Sequence, residues 1–156
     1  MPIKRIVFIT IMLGVMLSAC KPSQTPIPTA QAFPSLSGDW TIQMTQSGGI
    51  MGMLRTIKIQ NNGKFHLEDP RSKQSTERQL TSSQMKKLTG LVNSARLQGP
   101  SKPDAACADC FIYDLQITSG GQTFATQLND VSLPNSGLEE LVHFLSNLMS
   151  DLLVPV

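Results

Sequence analysis

The chain has few residues with which to do chemistry. Its 156 residues include two histidines, His66 and His143, and three cysteines, Cys20, Cys107 and Cys110. A Gly-x-Ser-x-Gly elbow, a phosphate-binding glycine loop and a His-Glu-x-x-His pair are all absent, which removes the usual sequence signs of serine hydrolases, nucleotide-binding enzymes and zinc proteases. His66 falls in a predicted strand and His143 in a predicted helix, neither at finger-like spacing from the cysteine pair, so a four-ligand zinc site is not expected. Asp114, on the polar side of its strand, has no apparent partner to tune it. Aromatic residues are sparse and no long basic stripe is interleaved with them, which argues against nucleic acid as a partner. The expectation is a non-enzyme with no catalytic residues, no cofactor and no metal.

What is present begins with an address. Lys4 and Arg5 precede the apolar run Ile6 to Leu17, which ends in Leu17-Ser18-Ala19-Cys20. That is the layout of a bacterial secretory signal, and the run is too short to read as a membrane span. The ending matches a lipoprotein box, so residues 1–19 are expected to be a signal peptide and Cys20 the lipid-bearing mature N-terminus. The membrane is then a partner through the lipid on Cys20. Lys21, being other than Asp, implies the outer membrane of the cell envelope in enterobacteria-like sorting. Without Lys4 and Arg5, eleven basic residues balance eleven acidic ones. Residues 20–37, with four prolines among small polar residues, read as an extended tether. Residues 38–156 are of ordinary size for a single domain.

Strand and helix patterns alternate through that domain. Trp40, Ile42 and Met44 share one strand face, Arg55, Ile57 and Ile59 continue a second strand, and Asn62-Gly63 signals a hairpin into a third with Phe65 and Leu67. Asp69 to Glu77 reads as a polar loop. Thr81 to Gln84 matches a capping box opening a helix of about Ser82 to Arg96, with Met85, Leu88, Leu91, Val92 and Ala95 at helical spacing. Phe111, Tyr113, Leu115 and Ile117 alternate up to Ser119-Gly120-Gly121, and Phe124, Thr126 and Leu128 alternate after it. A second capping box at Ser136 to Glu139 precedes a Leu-rich helix through Leu152. The predicted fold is α+β: an antiparallel sheet of about five strands, in the order βββ-α-ββ-α, with both helices on one face.

Two features stand apart from this framework. Exported, and with Cys20 committed to lipid, Cys107 and Cys110 are expected to form a disulfide. They lead into a strand rather than opening a helix, which does not favour a redox-active pair. The other feature is Ser47-Gly48-Gly49-Ile50-Met51-Gly52-Met53, where apolar side chains sit among glycines on what should be a surface connection. By composition alone, this is a wide loop whose Ile and Met fold back onto the core.

Ser47-Gly48-Gly49 plus an apolar residue, the Asn-Gly hairpin, Phe111-x-Tyr113-x-Leu115, the Gly-Gly turn, Asp130 and the Leu-rich terminal helix together resemble the emfourin family of protealysin inhibitors. The resemblance spans about Trp40 to Leu153. It implies a proteinaceous inhibitor of thermolysin-like metalloproteases, with such a protease as partner and Ser47, Gly48, Gly49, Ile50, Met51 and Met53 as the contact loop. Those enzymes prefer a bulky apolar residue just after the cut, which Ile50 or Met51 would supply. The chain departs from the family in its lipid anchor and linker, in Ile50 where an aromatic is expected, and in the Cys107–Cys110 pair. The alternative is a non-inhibitory envelope lipoprotein serving as a binding or structural module that uses the free face of its sheet.

Overall fold

Alternation along one nine-residue strand, Trp40–Gly48, sets out the interior. Trp40, Ile42 and Met44 point to the same side and are buried, whereas Thr41, Gln43 and Thr45 point to the other and stay half-exposed. This is the period-2 signature of a sheet covered on one face only. A computed structural model of the chain describes residues 31–33, 35–99, 102 and 107–151. Residues 1–19 and Cys20, and Leu152 of the predicted helix, lie outside the described residues.

The elements in chain order are β1 (Gln31–Ala32), β2 (Trp40–Gly48), β3 (Met53–Gln60), β4 (Lys64–Asp69), β5 (Gln74–Gln79), α1 (Ser82–Ser94), β6 (Arg96–Leu97), β7 (Phe111–Ser119), β8 (Gln122–Asn129), a 3-10 turn at Leu133–Asn135 and α2 (Glu139–Asp151). Six strands form an antiparallel sheet in the order β5-β4-β3-β2-β7-β8, so β2 is hydrogen-bonded on both sides. The fold is α+β, as the patterns predict, with one strand more than five. On the covered face Ile42, Met44, Ile57, Ile59, Leu67, Leu115 and Ile117 meet Leu88 and Val92 of α1 and Leu141, Val142, Leu145 and Met149 of α2 in a single apolar cluster. Each such side chain, fully removed from water, stabilises the fold by about 1.5–3 kcal/mol.

The added strand is β5, in the segment read from sequence as a polar loop. Its sequence, Gln-Ser-Thr-Glu-Arg-Gln, is exposed on nearly every residue, so it carries no apolar period. Backbone pairing with β4, from Lys64↔Gln79 to Asp69↔Gln74, holds it in place. A charged, polar edge of this kind also resists pairing with other chains.

Smaller differences have local causes. Asn62-Gly63 sits in a three-residue loop, Asn61–Gly63, closed by the Gly63 N–H donating to the Gln60 carbonyl (2.9 Å). The Thr81–Gln84 capping box forms as predicted: the Gln84 N–H donates to Thr81 Oγ1 and the Thr81 N–H to Gln84 Oε1. The Ser136–Glu139 box does not. Ser136 Oγ instead donates to the Leu133 carbonyl and accepts from the Leu138 N–H, because the 3-10 turn claims the serine before α2 begins.

The stretch read as a tether is partly packed. Gln31 and Ala32 pair with Leu97 and Arg96, and Phe33, only 8% exposed, sets its ring 4.1 Å from that of Phe124. Ser119 Oγ accepts from the Ser37 N–H (3.0 Å) and donates to the Ser35 carbonyl (2.9 Å). Residues 31–33 and 35–37 therefore close the core beside β8 rather than hanging free. Phe33→Ala should lower unfolding stability by about 3 kcal/mol. A chain started at Gly38 should show a similar loss in a urea titration against one started at Gln31, and equal midpoints would mean that Phe33 does not pack.

Candidate functional site

The apolar cluster stops short of one end of the sheet. On the covered face, the row beyond Met44, Ile57, Leu67 and Leu115 consists of Gln46, Arg55, Asp69 and Tyr113; Gln46 is in register with both Arg55 and Tyr113. Burial without partners would cost such groups several kcal/mol, and each ionisable member is paired. Arg55 Nε donates to Asp69 Oδ2 (3.3 Å), and the Tyr113 hydroxyl donates to Asp130 Oδ1 (2.9 Å). Asp130 Oδ2 also accepts from the Phe111 N–H (2.7 Å), fixing the start of β7.

Asp69 is the hub of this end. Its Oδ1 accepts from the backbone N–H groups of Arg71 (3.1 Å) and Ser72 (3.1 Å), shaping the turn from β4 to β5. The Ser72 N–H, and after it the Arg55 guanidinium, hold the Asp69 carboxyl below its ordinary value of 3.8 against the opposing effect of burial. At Tyr113, burial first and then the Asp130 carboxylate push the phenol above its ordinary 10.0. The turn that Asp69 shapes brings the Arg71 guanidinium to the next hairpin, where Nη1 donates to the carbonyls of Met51 and Gly52.

That hairpin is the stretch Ser47, Gly48, Gly49, Ile50, Met51 and Met53. Gly48 and Met53 are the last paired residues, and the Gly52 N–H closes a tight turn onto the Gly49 carbonyl (2.8 Å). Gly48 and Gly49 have positive φ, 94° and 68°, which only glycine adopts readily. A Cβ on Gly48 would overlap the Cys110 carbonyl oxygen, and one on Gly49 would lie 2.6 Å from the Phe111 ring. The Gly49 N–H donates to that same Cys110 carbonyl (3.1 Å). Cys110 is bridged to Cys107, with Cα atoms 5.4 Å apart, so the disulfide loop abuts the hairpin on one flank and Arg71 grips it on the other.

The side chains at the tip point away from the protein. Ile50 is 88% exposed and Met51 82%, while Met53 is half-buried. This corrects the compositional expectation of a loop folded back onto the core. The braces at Arg71 and Cys110 hold the tip's backbone in the extension of the sheet, beyond the last core row. Leu54 and Val131 are also exposed, and with Ile50 and Met51 they are the large hydrophobic residues exposed among the described residues. All four lie at this end: Leu54 pairs with Ser47, and Val131 follows Asn129, which pairs with Ile112. The Asn129 side chain accepts from the Val131 and Ser132 N–H groups and keeps that turn tight.

No family model matches the chain, and no curated protein does. Among the described residues no three His, Cys, Asp or Glu side chains stand together as metal ligands would, and no helix is long and apolar enough to cross a membrane. His66 lies near Glu77 (3.8 Å) and His143 near Glu139 (3.6 Å), both on exposed surfaces. Sequence reasoning singled out the hairpin and the cysteine pair but missed Arg71, Asp69 and Val131. An Asp-Pro-Arg-Ser run is a turn signal, although nothing in it indicates which loop the arginine reaches.

Asp69 yields a pH dependence. Its lowered carboxyl contributes stability that is present above the unfolded value, near 3.8, and is lost as pH falls through the lower folded value. Amide exchange at Arg71 and Ser72 should therefore accelerate in acid below pH 3.8 more than at core amides, and Asp69→Asn should remove that excess. Asp69→Ala should cost about 1–3 kcal/mol at neutral pH.

Proposed function

We propose that the chain is a lipid-anchored envelope protein that acts as a proteinaceous inhibitor of thermolysin-like metalloproteases, inserting the hairpin tip into the substrate cleft. The observation that carries this reading is the exposure of Ile50 and Met51, 88% and 82%, on a turn braced from two sides. Exposed large side chains gathered at one end of a domain mark a contact surface. A rigid presentation reduces the ordering cost of binding. Bulky apolar groups at the tip suit a pocket that takes such a residue just after the cut, as the resemblance to emfourins implies. Leu54 and Val131 would lie at the rim of the contact. The protein's role is to occupy the cleft, and no reaction is assigned to it.

The anchor in this proposal is a lipid on the Cys20 sulfur, with residues 1–19 removed as the signal and the outer membrane as destination. Wild-type protein should partition into the detergent phase with the membrane fraction, and Cys20→Ser should release it or leave it unprocessed. Recovery of the wild-type chain wholly in the soluble fraction would contradict the anchor.

The inhibitory role is tested by titrating the chain against a panel of thermolysin-like proteases. Ile50→Asp should leave the melting temperature within the error of the parent, because the side chain meets solvent rather than core. It should weaken binding by about 2 kcal/mol or more, as loss of a central anchor does. A stoichiometric excess that leaves every protease in the panel fully active would instead favour a non-inhibitory envelope module binding through the free sheet face.

A further inference from the structure

The fold sorts the chain's methionine sulfurs by their access to solvent. Met44 and Met149 are completely buried in the apolar cluster, and Met53 and Met85 are half-buried. Met1, Met12 and Met16 lie outside the described residues. Met51 is 82% exposed at the hairpin tip. Its carbonyl is held by Arg71, so an open thioether stands on a fixed backbone. The side chain contributes nothing to the core cluster, and the fold can tolerate a change in its polarity.

Methionine oxidation follows the exposure of the sulfur and converts a flexible apolar side chain into a polar, chiral one. With a hydroperoxide, a sulfur lone pair attacks one peroxide oxygen and the O–O bond breaks as an S–O bond forms. The sulfur loses two electrons, and the peroxide is reduced to water or, for an organic hydroperoxide, to the alcohol. At Met44 or Met149 the product would place a sulfoxide in the core. At Met51 it would place one on the surface, beside Ile50, where the tip is otherwise apolar.

We propose that Met51 is a peroxide-sensitive modification site whose sulfoxide withdraws the hairpin tip from its partner, so that oxidation switches the protein off without unfolding it. The loss of binding rests on the contact role assigned to the tip under Proposed function, whereas the selective oxidation does not. The thioether is also reversible chemistry, since methionine sulfoxide reductases return it to the apolar form.

The test treats the full chain, purified in detergent, with hydrogen peroxide and follows each methionine by tandem mass spectrometry that resolves Met44, Met51 and Met53. Met51 should gain one oxygen about tenfold or more faster than Met44 and Met149, with no change in melting temperature. Oxidised chain should then need about tenfold more protein to inhibit the same protease, and methionine sulfoxide reductase should restore the original titration. Met51→Leu should titrate identically before and after peroxide. Oxidation of Met44 or Met149 as fast as Met51 would overturn the site. A Met51 sulfoxide that inhibits as well as the thioether would overturn the switch while leaving the contact role intact. A chain that inhibits no protease, yet oxidises first at Met51, would refute the contact role and the switch together and leave the modification site standing.

Discussion

The structure depends on the central position of β2 and on where its apolar face runs out. Hydrogen-bonded on both edges, the strand has only its two faces free to vary, and three successive inward residues, Trp40, Ile42 and Met44, require cover from α1 and α2. The fourth, Gln46, ends that requirement. Because it is in register with Arg55 and Tyr113, the whole row across the sheet changes character at once. The apolar core gives way to a polar belt in which Arg55 pairs with Asp69 and Tyr113 with Asp130. Beyond the belt, hydrogen bonds position the hairpin tip, the turn after β4 and the turn at Val131, while the Phe111 ring packs against the core and abuts Gly49.

Elements that bury a face were readable in the sequence, and those that bury none were not. Strands β2, β7 and β8 announced themselves by strict alternation, α1 by its capping box and apolar stripe, and α2 by its stripe. β5 had no such signal because its polar side chains are nearly all exposed, and pairing through the backbone leaves no trace in residue type. Phe33 misled in the opposite direction. A single aromatic among prolines and serines reads as linker composition, but one ring against Phe124 is enough to fasten the segment. At the hairpin, glycine and apolar residues were visible, but their disposition was not. Whether Ile50 points inward depends on Arg71 and Cys110, distant in sequence and joined to the tip only through backbone carbonyls and an amide.

The cysteine bridge is best understood in the same setting. A loop closed by residues three apart restricts the unfolded chain little, about 2 kcal/mol on the chain-entropy estimate. Its placement is more informative than that figure. Cys110 offers its carbonyl to the Gly49 N–H immediately before Phe111 begins β7. The bridge thus restrains the approach to β7 at the point where the strand meets the hairpin, while Asp130 holds the Phe111 N–H. Short-range covalent restraint, a carboxylate and a guanidinium together fix a turn whose tip side chains lie outside the core.

The hairpin separates two kinds of residue within one short stretch. At Gly48 and Gly49, the frame leaves no room for a side chain; at Ile50 and Met51, it makes no demand on the side chain at all. Mutational drift in such a stretch is partitioned: the frame is held by folding, while the tip is answerable only to whatever it touches. The arrangement works as a mount with an exchangeable head. New side chains at two positions would change the surface the tip presents, and the sheet, the helices and the belt beneath would not have to change with them.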